Sequence, residues 1–371
     1  MNIALVRASY NPFGGAERTI QSVADALMAI GNVPTIVTRH WPEKTGQRIA
    51  HHVVNPRFFT KAGRERSFAR AVGDVIAARR FDLVQSYERI PGAHIYHAVD
   101  GVHAEWLQRR QRAQSTLGRL GVALNPHHRA VLELERGMYA SPNLKAVICI
   151  SHMVKDDIVR RFGTDAAKCE VIHLDIDHEK FHPRVRTEFR ESTRAKLGIP
   201  GSAPVAVFAG SGFVRKGVTA FLQTVARQPR MRGIVVGHDK AIAKFKAQAM
   251  NIGVANRVHF TGGVADVRPY YGAADVFLMP TLYEPFGLVY GEALACGLPA
   301  IVSRDAGAQD WIVEGQNGFV VDALDIDAMN RAVQAVLDNP SMPEAARASV
   351  LPYTAEAAAA KYRALYRRLA A

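Results

Sequence analysis

The chain is poor in cysteine and has no long apolar run. Its three cysteines, Cys149, Cys169 and Cys296, are scattered through 371 residues. Neither a disulfide framework nor a zinc spacing can be built from them, so they read as reduced core or surface thiols of a cytoplasmic protein. No stretch approaches the roughly 18 consecutive apolar residues of a membrane span, and Met1-Asn2-Ile3-Ala4-Leu5-Val6 is too short and too uncharged for a signal peptide. Low-complexity segments are also missing. The turn after the first strand lacks Gly-x-Gly-x-x-Gly, which argues against a dinucleotide-dependent oxidoreductase.

What is present is apolar sequence in short, regular instalments. Hydrophobic residues make up 48% of the chain, and this length exceeds what one core normally grows to, so two domains are expected. Strand-like runs fall at 2–6, 33–38, 82–86, 93–97, 145–150 and 170–174, separated by helical patterns such as Ile20, Val23, Ala24, Leu27 and Ile30. A second series has strands near 205–209, 233–236, 257–260, 276–279 and 299–302. Each series predicts a doubly wound parallel sheet, an α/β fold. His182-Pro183 closes the first series, giving domains 1–184 and 185–352, and 353–371 ends in a long helix.

The charge balance is strongly basic: 47 Lys and Arg against 34 Asp and Glu, a net of +13. Much of the excess lies in the first domain, at Arg57, Lys61, Arg64, Arg66 and Arg70 and again at Arg109, Arg110, Arg112 and Arg119. Within 57–70, Phe58, Phe59 and Phe68 interleave with the arginines, as at a peripheral membrane contact or an anionic acceptor site. A solvated basic face has the same composition. No nucleic-acid recognition motif accompanies these residues, so no nucleic-acid partner is expected.

Two segments of the second domain carry chemistry. After the strand-like run Val276 to Met279 comes Glu284-Pro285-Phe286-Gly287-Leu288-Val289-Tyr290-Gly291-Glu292. With a helix starting near Phe286, eight residues at about 1.5 Å rise separate the two carboxylates by roughly 12 Å. A glycosidase pair must lie closer, about 5 to 9 Å. The wider spacing suits two grips on a long ligand with hydroxyl-rich ends and anionic groups between them, held at a helix N-terminus. A nucleotide sugar has that form. Alternatively, Glu284 is a carboxylate favoured by the helix dipole and Glu292 a solvated helix residue.

The other segment follows the strand Val205 to Ala209 and reads Gly210-Ser211-Gly212-Phe213-Val214-Arg215-Lys216-Gly217. Small residues let the backbone approach a ligand, and Arg215 with Lys216 offers a fork and a point charge to a diphosphate. The Lys-Ser/Thr ending of a Walker loop is missing. A solvated basic loop is the alternative reading.

Gly14-Gly15 after the first strand, Gly-Ser-x-x-x-Arg-Lys-Gly at 210–217, and Glu-x7-Glu at 284–292 with Ala-x-Gly-x-Pro behind it together resemble the retaining glycosyltransferases of family 4 over most of the chain. Asn11-Pro12-Phe13-Gly14-Gly15, Val99-Asp100-Gly101-Val102-His103-Ala104-Glu105 and Arg215-Lys216-Gly217-Val218 are most similar to the lipopolysaccharide-core branch that adds glucose to heptose. The resemblance implies the GT-B fold, two Rossmann-like domains facing across a cleft: an acceptor-binding one, a nucleotide-sugar-binding one, and a C-terminal helix crossing back to the first.

It also implies roles. Arg215 and Lys216 would neutralise the diphosphate, Glu284 would contact the transferred sugar, and Glu292 would accept from the ribose hydroxyls. Backbone N–H groups of Phe286, Gly287 and Leu288 would hold sugar and phosphate oxygens. Gly14, Gly15, Gly210 and Ser211 would line the donor, and Val264, in the loop 262–266, would face the base. Asp100 would orient the attacking hydroxyl or stabilise charge at the anomeric carbon, with His97 and His103 in reserve. His94, His97 and His103 do not make a metal site, since alternation points the first two to opposite faces. Asp175-Ile176-Asp177 has the Asp-x-Asp spacing of metal-dependent transferases, but Leu174 and Asp175 replace the family's Asn and Gly, and no role carries over there.

The expected activity is therefore metal-independent, retaining hexosyl transfer, without a cofactor, from a nucleoside-diphosphate sugar of the UDP-glucose kind to a glycan or lipid-linked anionic acceptor, in the cytoplasm or on the inner membrane's cytoplasmic face. A GT-B epimerase or phosphorylase, or an inactive nucleotide-sugar-binding protein, is the alternative.

Overall fold

The computed structural model describes residues 1–9, 15–41, 49–78 and 81–370. The chain forms two compact units, Met1–Asp175 with Ala355–Ala371 and Ile176–Thr354. The sequence placed the first boundary at 184/185. It falls earlier because the linker packs on the second unit: Ile176 N–H donates to Tyr353 O at 3.0 Å, Arg347 Nη1 to Phe181 O at 2.9 Å, and the Phe181 ring lies 6.3 Å from that of Tyr271.

The first unit holds strands β1 (Asn2–Val6), β2 (Val33–Thr38), β3 (Ala50–Val53), β4 (Leu83–Ser86), β5 (Ile95–His97), β6 (Ala146–Cys149) and β7 (Cys169–Val171). They pair in parallel in the order β3-β2-β1-β4-β5-β6-β7. The inner strands are buried almost throughout, which is why they read as continuous apolar runs rather than alternations. The helix Gly15–Met28 covers one face through Ile20, Val23 and Leu27. In the same cluster lie Tyr362, Leu365 and Tyr366 of the helix Ala355–Ala370. Tyr366 donates its hydroxyl to Gln85 of β4, so the polar end of that ring is satisfied inside the core.

The second unit holds β8 (Val205–Ala209), β9 (Arg232–Val236), β10 (Val258–Gly262), β11 (Val276–Met279), β12 (Ala300–Ser303) and β13 (Gly318–Val321), ordered β10-β9-β8-β11-β12-β13. All its pairings are parallel. In each sheet the strand order thus reverses beside the first strand, between β1 and β4 in one unit and between β8 and β11 in the other. Ligands of doubly wound sheets bind outside the carboxyl ends of the strands at that switch point.

Two strands went unread in the sequence, β3 and β13, and both are sheet edges. Ala50-His51-His52-Val53 is largely exposed and has no apolar face to signal it. All three cysteines are free and buried, so none is a surface thiol. Among the described residues no helix is long and apolar enough to cross a membrane.

Candidate active site

At the switch point of the second unit, the loops after β8 and β11 meet. The first leaves β8 at Gly210, whose N–H donates to Val236 O at 2.8 Å. At Gly237, after β9, a Cβ would collide with the Gly210 carbonyl, so backbone packs directly on backbone where the strands end. A Cβ at Gly210 itself would stand 2.7 Å from Lys216 Nζ, so this glycine makes room for the lysine to fold back over the loop. Asp239 Oδ2 accepts from Phe213 N–H at 2.8 Å and fixes the start of the short helix Phe213–Lys216.

That helix delivers the two cations to one carboxylate. Arg215 Nη1 lies 2.9 Å from Glu284 Oε2, and Lys216 Nζ lies 3.3 Å from the same oxygen. Arg215 also donates to Tyr283 O at 2.9 Å, while its own carbonyl accepts from Leu282 N–H at 2.8 Å, tying the two loops together. The Glu284 backbone is clamped as well, donating to Asp305 O at 2.9 Å and accepting from Gly307 N–H at 2.8 Å. Burial pushes the Glu284 pKa up, but Lys216 and Arg215 outweigh it and hold the carboxyl below the ordinary range. One anion thus faces two cations, and the cluster is left with positive charge.

The helix after β11 begins at Leu288, two residues beyond Phe286. Phe286 is pinned edge-to-face on Trp311 at 4.5 Å, and Gly287 has φ +85°, which no right-handed helix continues. Leu288 opens the first turn, in which Tyr290 N–H donates to Gly287 O at 2.9 Å. Glu292 lies one turn further on, where Tyr271 donates its hydroxyl to Oε2 at 3.4 Å. Ser211 is exposed at the loop tip, and Val264 is half-buried in the turn beyond Gly262, whose carbonyl accepts from Gly237 N–H at 2.9 Å. Asp177 Oδ1 accepts from Lys180 N–H at 2.9 Å, an engagement within its own turn.

In the first unit the switch point carries Arg7 after β1 and Glu88 after β4, 3.4 Å apart, and Arg7 reaches Asp100 at 3.9 Å. Asp100 is 54% exposed. His97, one of the reserves, does not join it. Its ring is fully buried, stacked on Tyr87 at 4.9 Å, and burial alone depresses its pKa to about 3. His103 Nε2 lies 3.1 Å from His128 Nδ1, and burial, then Arg89 and the neighbouring histidines, lower its pKa to about 3. Gly15 opens its helix, and Gly14 lies outside the described residues.

The segment 57–70 differs from its reading. Phe68 belongs to the core, with the Arg39 guanidinium 5.0 Å over its ring. Arg64 pairs with Glu65 at 2.8 Å and Arg66 with Glu133 at 2.6 Å. Phe58 and Phe59 are the aromatics that remain exposed. Exposed apolar side chains gather instead on the helix Thr116–Leu124, where Leu117, Leu120 and Leu124 share one face and are 82%, 55% and 58% exposed. From Trp106 to Leu132 the sequence has five arginines and neither Asp nor Glu.

Glycine loops, a basic turn and a paired glutamate at the switch point of a doubly wound sheet, on a chain with two such sheets, point to the GT-B glycosyltransferases. Residues 13–180 match the family described as Glycosyltransferase Family 4, and residues 189–349 match Glycosyl transferases group 1. Over 326 residues, 86% of this chain and 85% of the relative, the chain is 26% identical to the lipopolysaccharide glucosyltransferase WaaG of Escherichia coli K12. The crystal structure of WaaG matches 98% of this chain and 99% of its own, with a TM-score of 0.79 and 24% identity. Anabaena HepE in complex with UDP-glucose matches 99% of this chain and 100% of its own, with a TM-score of 0.73 and 18% identity. The chain belongs to the family 4 glycosyltransferases.

Sequence reasoning missed Gly237, Asp239 and Tyr271. The first could have been found as a glycine directly after a strand that neighbours the Gly210 strand. The other two act through contacts distant in sequence.

Proposed function

We propose that this glycosyltransferase moves a hexose, with retention and without a metal, from a nucleoside-diphosphate sugar to a glycan or lipid-linked acceptor of the lipopolysaccharide core. UDP-glucose is the favoured donor. The observation that carries this reading is the convergence of Arg215 and Lys216 on Glu284 at the switch point of the second sheet. The likeness to a lipopolysaccharide glucosyltransferase over most of both chains supports the acceptor class, and a fold neighbour in complex with UDP-glucose supports the donor class.

In this reading the diphosphate takes the place of Glu284 as partner of the two cations, whose charge is matched best as the leaving group gains its own. The carboxylate they release turns to hydroxyls of the transferred sugar. Glu292, steadied by Tyr271, accepts from the ribose, and backbone around Gly210, Ser211 and Val264 lines the nucleotide. The backbone N–H groups of Phe286, Gly287 and Leu288, in the turn that leads into the helix, hold sugar and phosphate oxygens. The acceptor hydroxyl attacks from the face the diphosphate leaves, a phosphate oxygen takes its proton, and Asp100 orients it. His97, sealed in the core, has no part in this. His103, neutral beside His128, is a hydrogen-bonding group of the acceptor side. Two cations and a helix terminus do the work a magnesium ion does elsewhere.

The first unit is the acceptor side, and the enzyme works at the cytoplasmic face of an anionic membrane. The leucine face of Thr116–Leu124, rather than 57–70, is its contact. Fully burying a leucine contributes about 1.5 to 3 kcal/mol, and each arginine near an anionic surface about 1 kcal/mol. Co-sedimentation with anionic vesicles should be lost in Leu117→Glu/Leu120→Glu and retained in Arg64→Glu/Arg66→Glu; the reverse pattern returns the contact to 57–70.

A thermal-shift panel of UDP, GDP, ADP and their sugars tests the donor. The true nucleotide at a hundred times its Kd should add about 2.7 kcal/mol of stability. No shift with any of them overturns the reading, and donor binding without transfer or hydrolysis favours an inactive binding protein.

A further inference from the structure

Asp100 stands on the turn Asp100-Gly101-Val102 between β5 and the helix His103–Gln111. Gly101 N–H donates to Ala98 O at 3.1 Å on the strand side of that turn, but no local side chain closes its helix side. Val102 occupies the N-cap position and makes no side-chain cap, so the first N–H groups of the helix need a partner from elsewhere. Glu135 supplies it from the helix Pro126–Tyr139. Its Oε1 accepts from His103 N–H at 2.8 Å and its Oε2 from Ala104 N–H at 3.1 Å, and the side chain is fully buried.

The other side of the turn is held by the residue that neutralises Glu135. Arg89 Nε donates to Glu135 Oε1 at 2.9 Å, and its Nη2 donates to Gly101 O at 3.2 Å. One carboxylate therefore grips the N–H side of the turn and one guanidinium the carbonyl side, and the two grip each other. A buried carboxylate at a helix N-terminus is favoured by the helix dipole as well as by its partner. Asp100 itself is half exposed, with Arg7 at 3.9 Å, so its place is set by its backbone.

We propose that Arg89 and Glu135 are a positioning pair that fixes the Asp100 turn, acting on transfer through Asp100 and leaving donor binding untouched. This rests on the reading of Asp100 as the residue that orients the acceptor hydroxyl. Glu135 comes from a separate helix, and neither residue is assigned a contact with the reacting groups. A misplacement of about 1 Å at a reacting group costs up to roughly 10²-fold in rate.

The test is a double-mutant cycle on the full chain with Glu135→Gln, Asp100→Asn and both together. Turnover is measured with UDP-glucose and heptose-terminated lipopolysaccharide core, UDP affinity by titration, and stability by thermal melting. Glu135→Gln should lower kcat about 10- to 100-fold with UDP affinity changed less than about twofold. The double variant should be no slower than Asp100→Asn by more than about twofold, because groups that act through one another are not additive. Arg89→Lys keeps the charge but loses the fork, and should show the same pattern if Glu135→Gln folds poorly. Multiplicative losses, or wild-type turnover in Glu135→Gln and Arg89→Lys beside an impaired Asp100→Asn, overturn the positioning role alone. Wild-type turnover in Asp100→Asn removes the reading of Asp100 and this proposal with it.

Discussion

Gly287→Ala separates the packing of the donor-side turn from its backbone conformation. At φ +85° an added Cβ costs roughly 1 to 2 kcal/mol wherever it points. Here it would also stand 2.7 Å from Cδ2 of Tyr290 and 3.0 Å from Cγ of Glu284. Tyr290 cannot yield: its ring is fully buried, edge-on to Phe277 at 5.1 Å, and its hydroxyl is bonded to Met279 O. Overpacking of this kind adds about 1 to 3 kcal/mol, so the variant should lose roughly 2 to 5 kcal/mol and displace Glu284 in relieving the strain. The control is Gly315→Ala in the same unit, where φ is +75° and a Cβ meets nothing within 4 Å. It should lose only the backbone cost of roughly 1 to 2 kcal/mol. Denaturant unfolding gives the two losses, and sugar-transfer turnover gives the consequence: a fall of about 10²-fold for Gly287→Ala and none for Gly315→Ala. Equal losses of stability, or wild-type turnover in Gly287→Ala, would refute the argument that this glycine keeps the Glu284 carboxylate in place.

Glu292→Ala should weaken nucleoside-diphosphate binding while Glu284→Ala lowers turnover; near-normal UDP affinity in the Glu292 variant removes its ribose role. Loss of Arg215 or Lys216 should lower kcat by about 10²-fold or more, near 2.7 kcal/mol of transition-state stabilisation, and chelation should do little. Activity abolished by a chelator and restored by magnesium would give the diphosphate to a metal. The depressed pKa of Glu284 means that its pairing stabilises the fold fully above the unfolded carboxylate value of about 4.3 and is lost as pH falls through the lower folded value. Below about pH 4.3 wild-type stability should therefore fall more steeply than that of Glu284→Gln, and parallel acid limbs would show that the ion pairs contribute nothing.

Much of the fold was legible because parallel strands buried on both faces write themselves as apolar runs, as Val205 to Ala209 and Val276 to Met279 do. The edges were not, since β3 presents two histidines and has nothing to bury. The candidate site was legible in part. Spacing put Arg215, Lys216 and Glu284 in two loops after strands, and strand order β8-β11 brings those loops together, which no local pattern states. His97 and Phe68 were misread for a related reason. A polar ring in a strand and a phenylalanine among arginines look the same in sequence whether they face a ligand, a membrane or the core, and here both face the core.

The first unit is interrupted: its opening residues wait for a helix at 355–370 that is made only after the whole second unit. Until then Ile20, Val23 and Leu27 lack the Tyr362, Leu365 and Tyr366 side chains that share their cluster. The second unit, Ile176–Thr354, is continuous and has all its strands in hand earlier. The order in which the units begin and the order in which they become complete are therefore opposed, whereas domains generally form as units from the N-terminus. In this chain the half made second is the first that can close, and the half made first stays open, with apolar surface for a chaperone to cover, until the last turns of its final helix emerge.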